Sequence, residues 1–222
     1  DTYWRGRVDR ISPEAPVPVV AVSKKEQRIG GAGNVALNVQ SLGATVHAIS
    51  IIGDDEEGMQ LSALLKSNNI NTDYLVSSKL RITTNKIRII SRNQHMMRLD
   101  AEITNPITNT EEDQLISSFK NYIQKEKPQI VILEDYNKGV LTPAIIEQVV
   151  SICREHHVLT AVDPKRKNFF AYKYVDIFKP NLHEAKEGLN IISDEVTPAL
   201  LSGIHSALHE KLHHRISFIT LS

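Results

Sequence analysis

Cysteine is nearly absent from this chain: Cys153 is the only one in 222 residues. An internal disulfide is excluded, and so are thiolate-cluster zinc sites and iron–sulfur clusters, which need several thiols. A reducing compartment suits such a chain, and a cytoplasmic location is expected. Net charge is absent as well, since Lys+Arg and Asp+Glu both number 26. The basic excess that neutralises a phosphate backbone is missing, so nucleic acid is not an expected partner. No apolar run approaches the roughly 20 residues that cross a bilayer, and no membrane partner is expected either. There is no Gly-Lys-Ser/Thr of a Walker A loop, no Gly-x-Ser-x-Gly elbow and no His-Glu-x-x-His helix. The corresponding nucleotide-loop, hydrolase and metalloprotease classes lose their support.

What remains is ordinary globular composition, 41% hydrophobic and 23% charged, at a length that fits one generous domain. The chain starts at Asp1 in patterned sequence and stops at Ser222 directly after an apolar run. Both ends read as cut, so the missing signal peptide carries no information.

Apolar periodicity sets a rhythm. Strands are expected over 45–52, 130–133, 158–162, 175–178 and 216–221. Helices are expected over 35–42, 56–67, 111–125, 143–156 and 198–214. Alternating strands and helices predict an α/β fold, Rossmann-like, with a mostly parallel sheet and helices on both faces. Two segments, 16–22 and 83–100, read as strands with no helix between them. Alternation of Lys86 and Arg88 with Ile87 and Ile89 predicts one wet and one covered face. Pro13, Pro16 and Pro18 suit an edge. These segments are expected to form a small separate β-sheet.

Ligands of an open parallel sheet bind beyond the carboxyl ends of its strands. Glu134 with Asp135, Asp163 with Lys165, and Asn181 with Glu184 all close apolar runs and are candidates, although Asp and Asn are also common turn-formers and caps. Gly30-Gly31-Ala32-Gly33-Asn34 opens a helix, where backbone can approach a phosphate or a sugar; a plain tight turn is the competing reading. It is not a dinucleotide fingerprint, for Ala36 stands where the third glycine belongs and no clear strand precedes it. Asp135-Tyr136-Asn137-Lys138-Gly139 reads as a solvated turn, or as an acid and a lysine that hold hydroxyls and a phosphate. Lys86, Arg88, Arg92 and Arg98 form either a solvated strand face or an arginine clamp on an anion. His205, His209 and His213 recur every four residues, a spacing that could ligate zinc, but no acid completes the pattern. Pro13-Glu14-Ala15-Pro16 formally matches a PxxP peptide, yet sits inside a predicted strand.

Gly30 to Ala36 with Leu42-Gly43-Ala44 resembles the first signature of the ribokinase-like, or PfkB, carbohydrate kinases. The run from Arg10 to Val20, Ser91-Arg92-Asn93-Gln94, Arg98-Leu99-Asp100, Asp135 to Gly139 and Asp163-Pro164-Lys165 narrow the resemblance to the branch that phosphorylates D-glycero-β-D-manno-heptose 7-phosphate. The resemblance implies one incomplete kinase domain over 1–222, with lid segments at about 5–22 and 82–100. It implies ATP-dependent phosphorylation of that sugar phosphate at its anomeric hydroxyl, giving the 1,7-bisphosphate for lipopolysaccharide-core synthesis, with ATP and Mg2+ as cofactors. Sugar-binding positions by the same resemblance are Asp1, Gly31, Asn34, Arg92, Asn93, Arg98, Asp135 and Lys138. Nucleotide-binding positions are Asp163, Lys165, Asn181 and Glu184, with Glu184 also on the metal side. The family's second signature, Gly-Ala-Gly-Asp, is absent, so the catalytic base is expected beyond Ser222 and this stretch alone is expected to be inactive. A homodimer through the lid and a fused adenylyltransferase are the partners the resemblance implies. The alternatives are another PfkB kinase, fructokinase-like, or a non-catalytic sugar-binding module.

Overall fold

A computed structural model describes residues 1–193 and 195–221. The chain divides into two compact units, Asp1–Ile103 and Thr104–Ser222.

The first unit opens with a long antiparallel ribbon, β1 (Thr2–Ile11) and β2 (Pro18–Gln27). β1 also pairs in parallel with β5 (Asn85–Ser91), which forms a hairpin with β6 (Gln94–Ala101). The four strands run in the order β2-β1-β5-β6, so β2 is an edge. Pro18 opens it, and the first residue of an edge strand tolerates a missing N–H. Pro13 to Pro16 lie in the connection between β1 and β2, not in a strand. β2 continues through Lys24 and Lys25 to Gln27, so a strand does precede the glycine turn. That turn leads into α1 (Ala32–Ser41). Then come β3 (Val46–Gly53), α2 (Glu56–Ser67) and β4 (Ile70–Ser78), with β3 and β4 parallel. Asp55 caps α2 by accepting from the Gly58 N–H at 2.8 Å and holds the Thr83 N–H at 2.7 Å.

The second unit is a parallel sheet in the order β10-β9-β8-β7. Its strands are β7 (Ile130–Glu134), β8 (Leu159–Asp163), β9 (Ile177–Phe178) and β10 (Ile216–Ser217). The last is shorter than the apolar run that predicted it, and beyond it Thr220 makes one bridge to Asn181. The helices are α3 (Asn109–Glu126), α4 (Pro143–Glu155), α5 (Leu182–Leu189) and α6 (Pro198–Leu212). Each starts on a side-chain cap: Thr108, Thr142, Asn181 and Thr197 accept from an N–H in the first turn. α4 buries Ile145, Ile146, Val149, Val150 and Cys153, and it packs on β8. Each such aliphatic side chain contributes roughly 1.5–3 kcal/mol by leaving water.

The two faces of this sheet differ. Leu133, Val162 and Phe178 point to the covered side and are buried. Ile130, Ile132, Leu159, Ile216 and Phe218 point the other way and are 39–58% exposed. Register places Ile130 beside Leu159 and Ile177 beside Ile216, so these residues form one continuous apolar face.

Candidate functional site

Each unit carries polar groups at the ends of its strands. In the first, Asp1 stands immediately before β1. Its carboxylate lies 3.0 Å from the Arg88 guanidinium. The glycine turn is pressed against it: a side-chain carbon at Gly30 would come within 2.3 Å of Asp1 Oδ2. Gly31, next along, has φ 54 and ψ −135, a conformation that side chains strongly disfavour. It occupies the N-cap of α1 without a side-chain cap, and Asn34 follows in the exposed first turn. Asp1, Gly31 and Asn34 thus surround one short backbone turn.

The β5–β6 hairpin carries the predicted basic residues. Arg92 and Asn93 form its tip, both with positive φ (47 and 64), between the paired Ser91 and Gln94. This is the two-residue turn whose twist matches a right-handed ribbon. Asn tolerates that conformation; Arg rarely takes it. Arg98 donates to both oxygens of Asp100, at 2.8 and 3.1 Å, and Lys86 donates to Asp100 at 3.0 Å. Hydrogen bonding from Lys86 and then Arg98 holds the Asp100 carboxyl below the usual range. Three of the four predicted cations therefore already have carboxylate partners. Arg92 is exposed and has no ion pair among the described residues. Lys86 to Ile89 are all half-buried, so the expected wet and dry alternation is blurred on this strand, which has neighbours on both sides. Tyr3 lies under both Arg28 and Arg88, 5.0 and 5.2 Å from their guanidinium carbons.

In the second unit Glu134 ends β7 and Asp163 ends β8, side by side in register on the open apolar face. Lys179, after β9, donates to Asp163 at 2.9 Å. Lys165 lies 3.7 Å from Asp163 and is bonded to Glu184. Asn181 and Glu184 form a reciprocal capping box at the start of α5: the Glu184 N–H donates to Asn181 at 2.8 Å, and the Asn181 N–H donates to Glu184 at 2.9 Å. Asp163, Lys165, Asn181 and Glu184 are thus brought together, as the sequence reading grouped them. Burial, reinforced by the neighbouring Asp163 charge, pushes the Glu134 carboxyl up to about 7. Burial opposes the charge on Lys165, but Glu184 and Asp163 together raise its pKa. A cavity of about 210 Å³ beside Glu184 is lined by Arg166, Phe169, Glu187 and Gly188 among others.

Asp135 is placed differently from its neighbours. It is 3% exposed, on the covered side. It accepts from the Tyr172 hydroxyl at 2.7 Å, the Asn168 amide at 3.2 Å and the Asn137 N–H at 2.8 Å. Its carboxylate serves the protein interior, not the open strand edge where the sequence reading placed it. Lys138 follows, half-buried, in the same loop. Two residues outside the predicted site residues take part: Arg88, named before only as a member of a basic face, and Lys179. The Lys-Pro-Asn that closes β9 was the available signal for the second.

The family model for pfkB family carbohydrate kinases matches residues 2–221, and the chain belongs to that family. It is 39% identical over 222 residues to the Bifunctional protein HldE of Helicobacter pylori strain Shi470, and 40% identical over 223 residues to that of Aliarcobacter butzleri strain RM4018. These alignments cover all of this chain but 47% and 46% of those proteins, so the chain spans about half the length of the curated relatives it matches. Among solved structures, a putative phosphofructokinase from Staphylococcus aureus aligns with TM-score 0.76 at 17% identity, over 100% of this chain and 68% of that one. Arabidopsis thaliana ribokinase complexed with ribose and ATP aligns with TM-score 0.67 at 16% identity, over 98% and 67%. These likenesses show the ribokinase-like α/β fold. No helix among the described residues is long and apolar enough to cross a membrane.

Proposed function

We propose that this chain is the kinase portion of a protein that transfers the γ-phosphoryl group of ATP to the anomeric hydroxyl of D-glycero-β-D-manno-heptose 7-phosphate in the cytoplasm. The observation that carries the reading is the Asp1–Arg88 pair pressed on the Gly30-Gly31 turn. It is a fixed carboxylate beside exposed backbone, suited to grip adjacent sugar hydroxyls. Asp1 accepts hydrogen bonds from the sugar hydroxyls, and Gly31 and Asn34 bound the sugar. In the first unit, Arg92 and Asn93 at the hairpin tip, with Arg98, meet the 7-phosphate; in the second, Lys138 is a further phosphate-binding residue. Arg98 does so by exchanging Asp100 for a phosphate, to which its planar fork fits equally well. Asp135 acts one step back, by fixing the loop that carries Lys138.

Asp163, Lys165, Asn181 and Glu184 form the nucleotide side. The carboxylates of Glu184 and Asp163 are hard oxygen donors, and lysines stand beside them. This combination fits Mg2+ held through water or one carboxylate together with phosphates. Bound Mg2+ would neutralise charge on the phosphates. Lys165 orients Glu184 and attracts the phosphate oxygens. The four-stranded sheet, segments 5–22 and 82–100, serves as the lid that excludes water. Ile87, Ile89, Met97 and Leu99 share one side of it, and the exposure of Met97 (57%) and Leu99 (42%) supports a homodimer through that side. The base, the cover for the apolar face of β7–β10 and an adenylyltransferase are assigned to the additional length that the HldE relatives possess.

One observation favours a second reading, a kinase for a neutral sugar: three of the four hairpin cations are already paired. ADP release by the protein at its natural length separates the two, with the heptose 7-phosphate, fructose and ribose as acceptors. Turnover confined to the heptose phosphate is expected, and Asp1→Asn should lower kcat/KM by about 100-fold. Turnover on a neutral sugar overturns the phosphate assignment. No turnover on any acceptor overturns the kinase reading in favour of a binding module.

A further inference from the structure

We infer that His205 and His209 form an open two-imidazole site for a first-row divalent ion of the zinc, nickel or copper class. Both lie on α6, four residues apart, so their side chains are neighbours on one helical face. Their rings are 5.8 Å apart between centroids and inclined by 30°. The decisive feature is that both rings are anchored by the same nitrogen. His209 Nδ1–H donates to the backbone oxygen of His214 at 2.7 Å. A carbonyl oxygen accepts only, so this bond fixes the tautomer and leaves the Nε2 lone pair free. His205 Nδ1 lies 2.9 Å from Ser217 Oγ, which also lies 2.6 Å from His214 Nε2. A hydroxyl accepts as well as donates, so His205 Nδ1–H can donate to Ser217 Oγ, and in that tautomer, the one the site requires, its Nε2 is free as well.

Anchoring one imidazole nitrogen to a carbonyl or hydroxyl is how proteins hold a ring whose other nitrogen binds metal. Imidazole selects zinc, nickel and copper over magnesium or calcium. His213 is not a ligand: its ring stacks on Tyr174 at 5.3 Å, and Arg154 lies 4.8 Å over that tyrosine. His214 is fully buried behind the pair. No three metal-ligating side chains converge among the described residues, so the two imidazoles are the protein's whole ligand set and solvent would complete the coordination. The site spans the last two turns of α6 and reaches β10 through its anchors.

The test is equilibrium dialysis of the untagged protein against Ni2+ and Zn2+, with thermal unfolding in parallel. One ion per chain and a higher midpoint with metal are expected. His209→Gln and His205→Gln should each abolish that binding, and His213→Gln should leave it unchanged. Ser217→Ala removes an anchor but no ligand and should weaken binding by about 10–100-fold. Metal binding that survives both ligand substitutions, or no binding by the parent protein, overturns the inference. His209 is exposed, so its substitution keeps the test valid if the half-buried His205 does not tolerate change.

Discussion

In the first unit Asp100 holds Lys86 and Arg98 on a sheet surface that water reaches. In the second, Asp135 holds Tyr172 and Asn168 at 3% exposure. Both carboxylates make multiple short bonds, yet their physical consequences differ. A solvated ion pair is nearly balanced by hydration, so its members can be handed to a ligand at small cost. A buried acceptor has no water to fall back on, and its partners are committed. Lys86 and Arg98 can therefore leave Asp100 at small cost, whereas Asp135 ties Tyr172, Asn168 and the Asn137 N–H together in the interior.

Asp135→Ala gives the largest expected effect. It strips the Tyr172 hydroxyl of its acceptor inside the core, and unfolding stability should fall by about 2–4 kcal/mol in urea titrations. Asp135→Asn keeps an acceptor oxygen and should lose less. A loss below about 0.5 kcal/mol for the alanine variant would erase the distinction between the two carboxylates.

Glu134 sharpens the contrast from within the second unit, through pH. Burial, then Asp163, raises its folded pKa from 4.5 to about 7. The fold therefore favours the protonated form. That contribution is fully present below about 4.5 and is lost as pH rises through about 7. Glu134→Gln stays neutral throughout. Its stability should decline less than the parent's across that window, and identical pH profiles would show that Glu134 is solvated like Asp100.

Much of this was legible in the residues. The helix expected over 56–67 is α2, and Asp55 caps its start. β4 was missed because Asn71, Thr72 and Asp73 resemble a turn; parallel pairing with β3 overrides them. α5 was also missed, although its capping box is a sequence-level start signal. Within the site, the grouping of Asp163, Lys165, Asn181 and Glu184 was readable, since successive parallel strands deliver their ends to one edge. The orientation of Asp135 was not. Adjacent residues of a strand point to opposite faces, so Glu134 joins Ile132 on the open side and Asp135 joins Leu133 on the covered side. A continuously apolar strand such as Ile130 to Leu133 hides that parity, because no polar residue marks either face. The Asp1–Arg88 pair was hidden for another reason. It joins residues 87 positions apart through the parallel pairing of β1 with β5, which no local pattern announces.

The smallest expected effect tests the exchangeable side. Asp100→Asn removes the shared acceptor of Lys86 and Arg98 where water can replace it. The unfolding midpoint should shift slightly at low ionic strength and not at all near 1 M salt, where charges are screened within about 3 Å. The same substitution leaves a sheet face with one negative charge fewer, so inorganic phosphate should bind the variant more tightly than the parent at low salt. A large salt-resistant loss of stability would mean that Asp100 is scaffolding too. Arg98 would then be unable to leave it for a phosphate, and Arg92, the one hairpin cation with no ion pair among the described residues, would have to hold the anion without it.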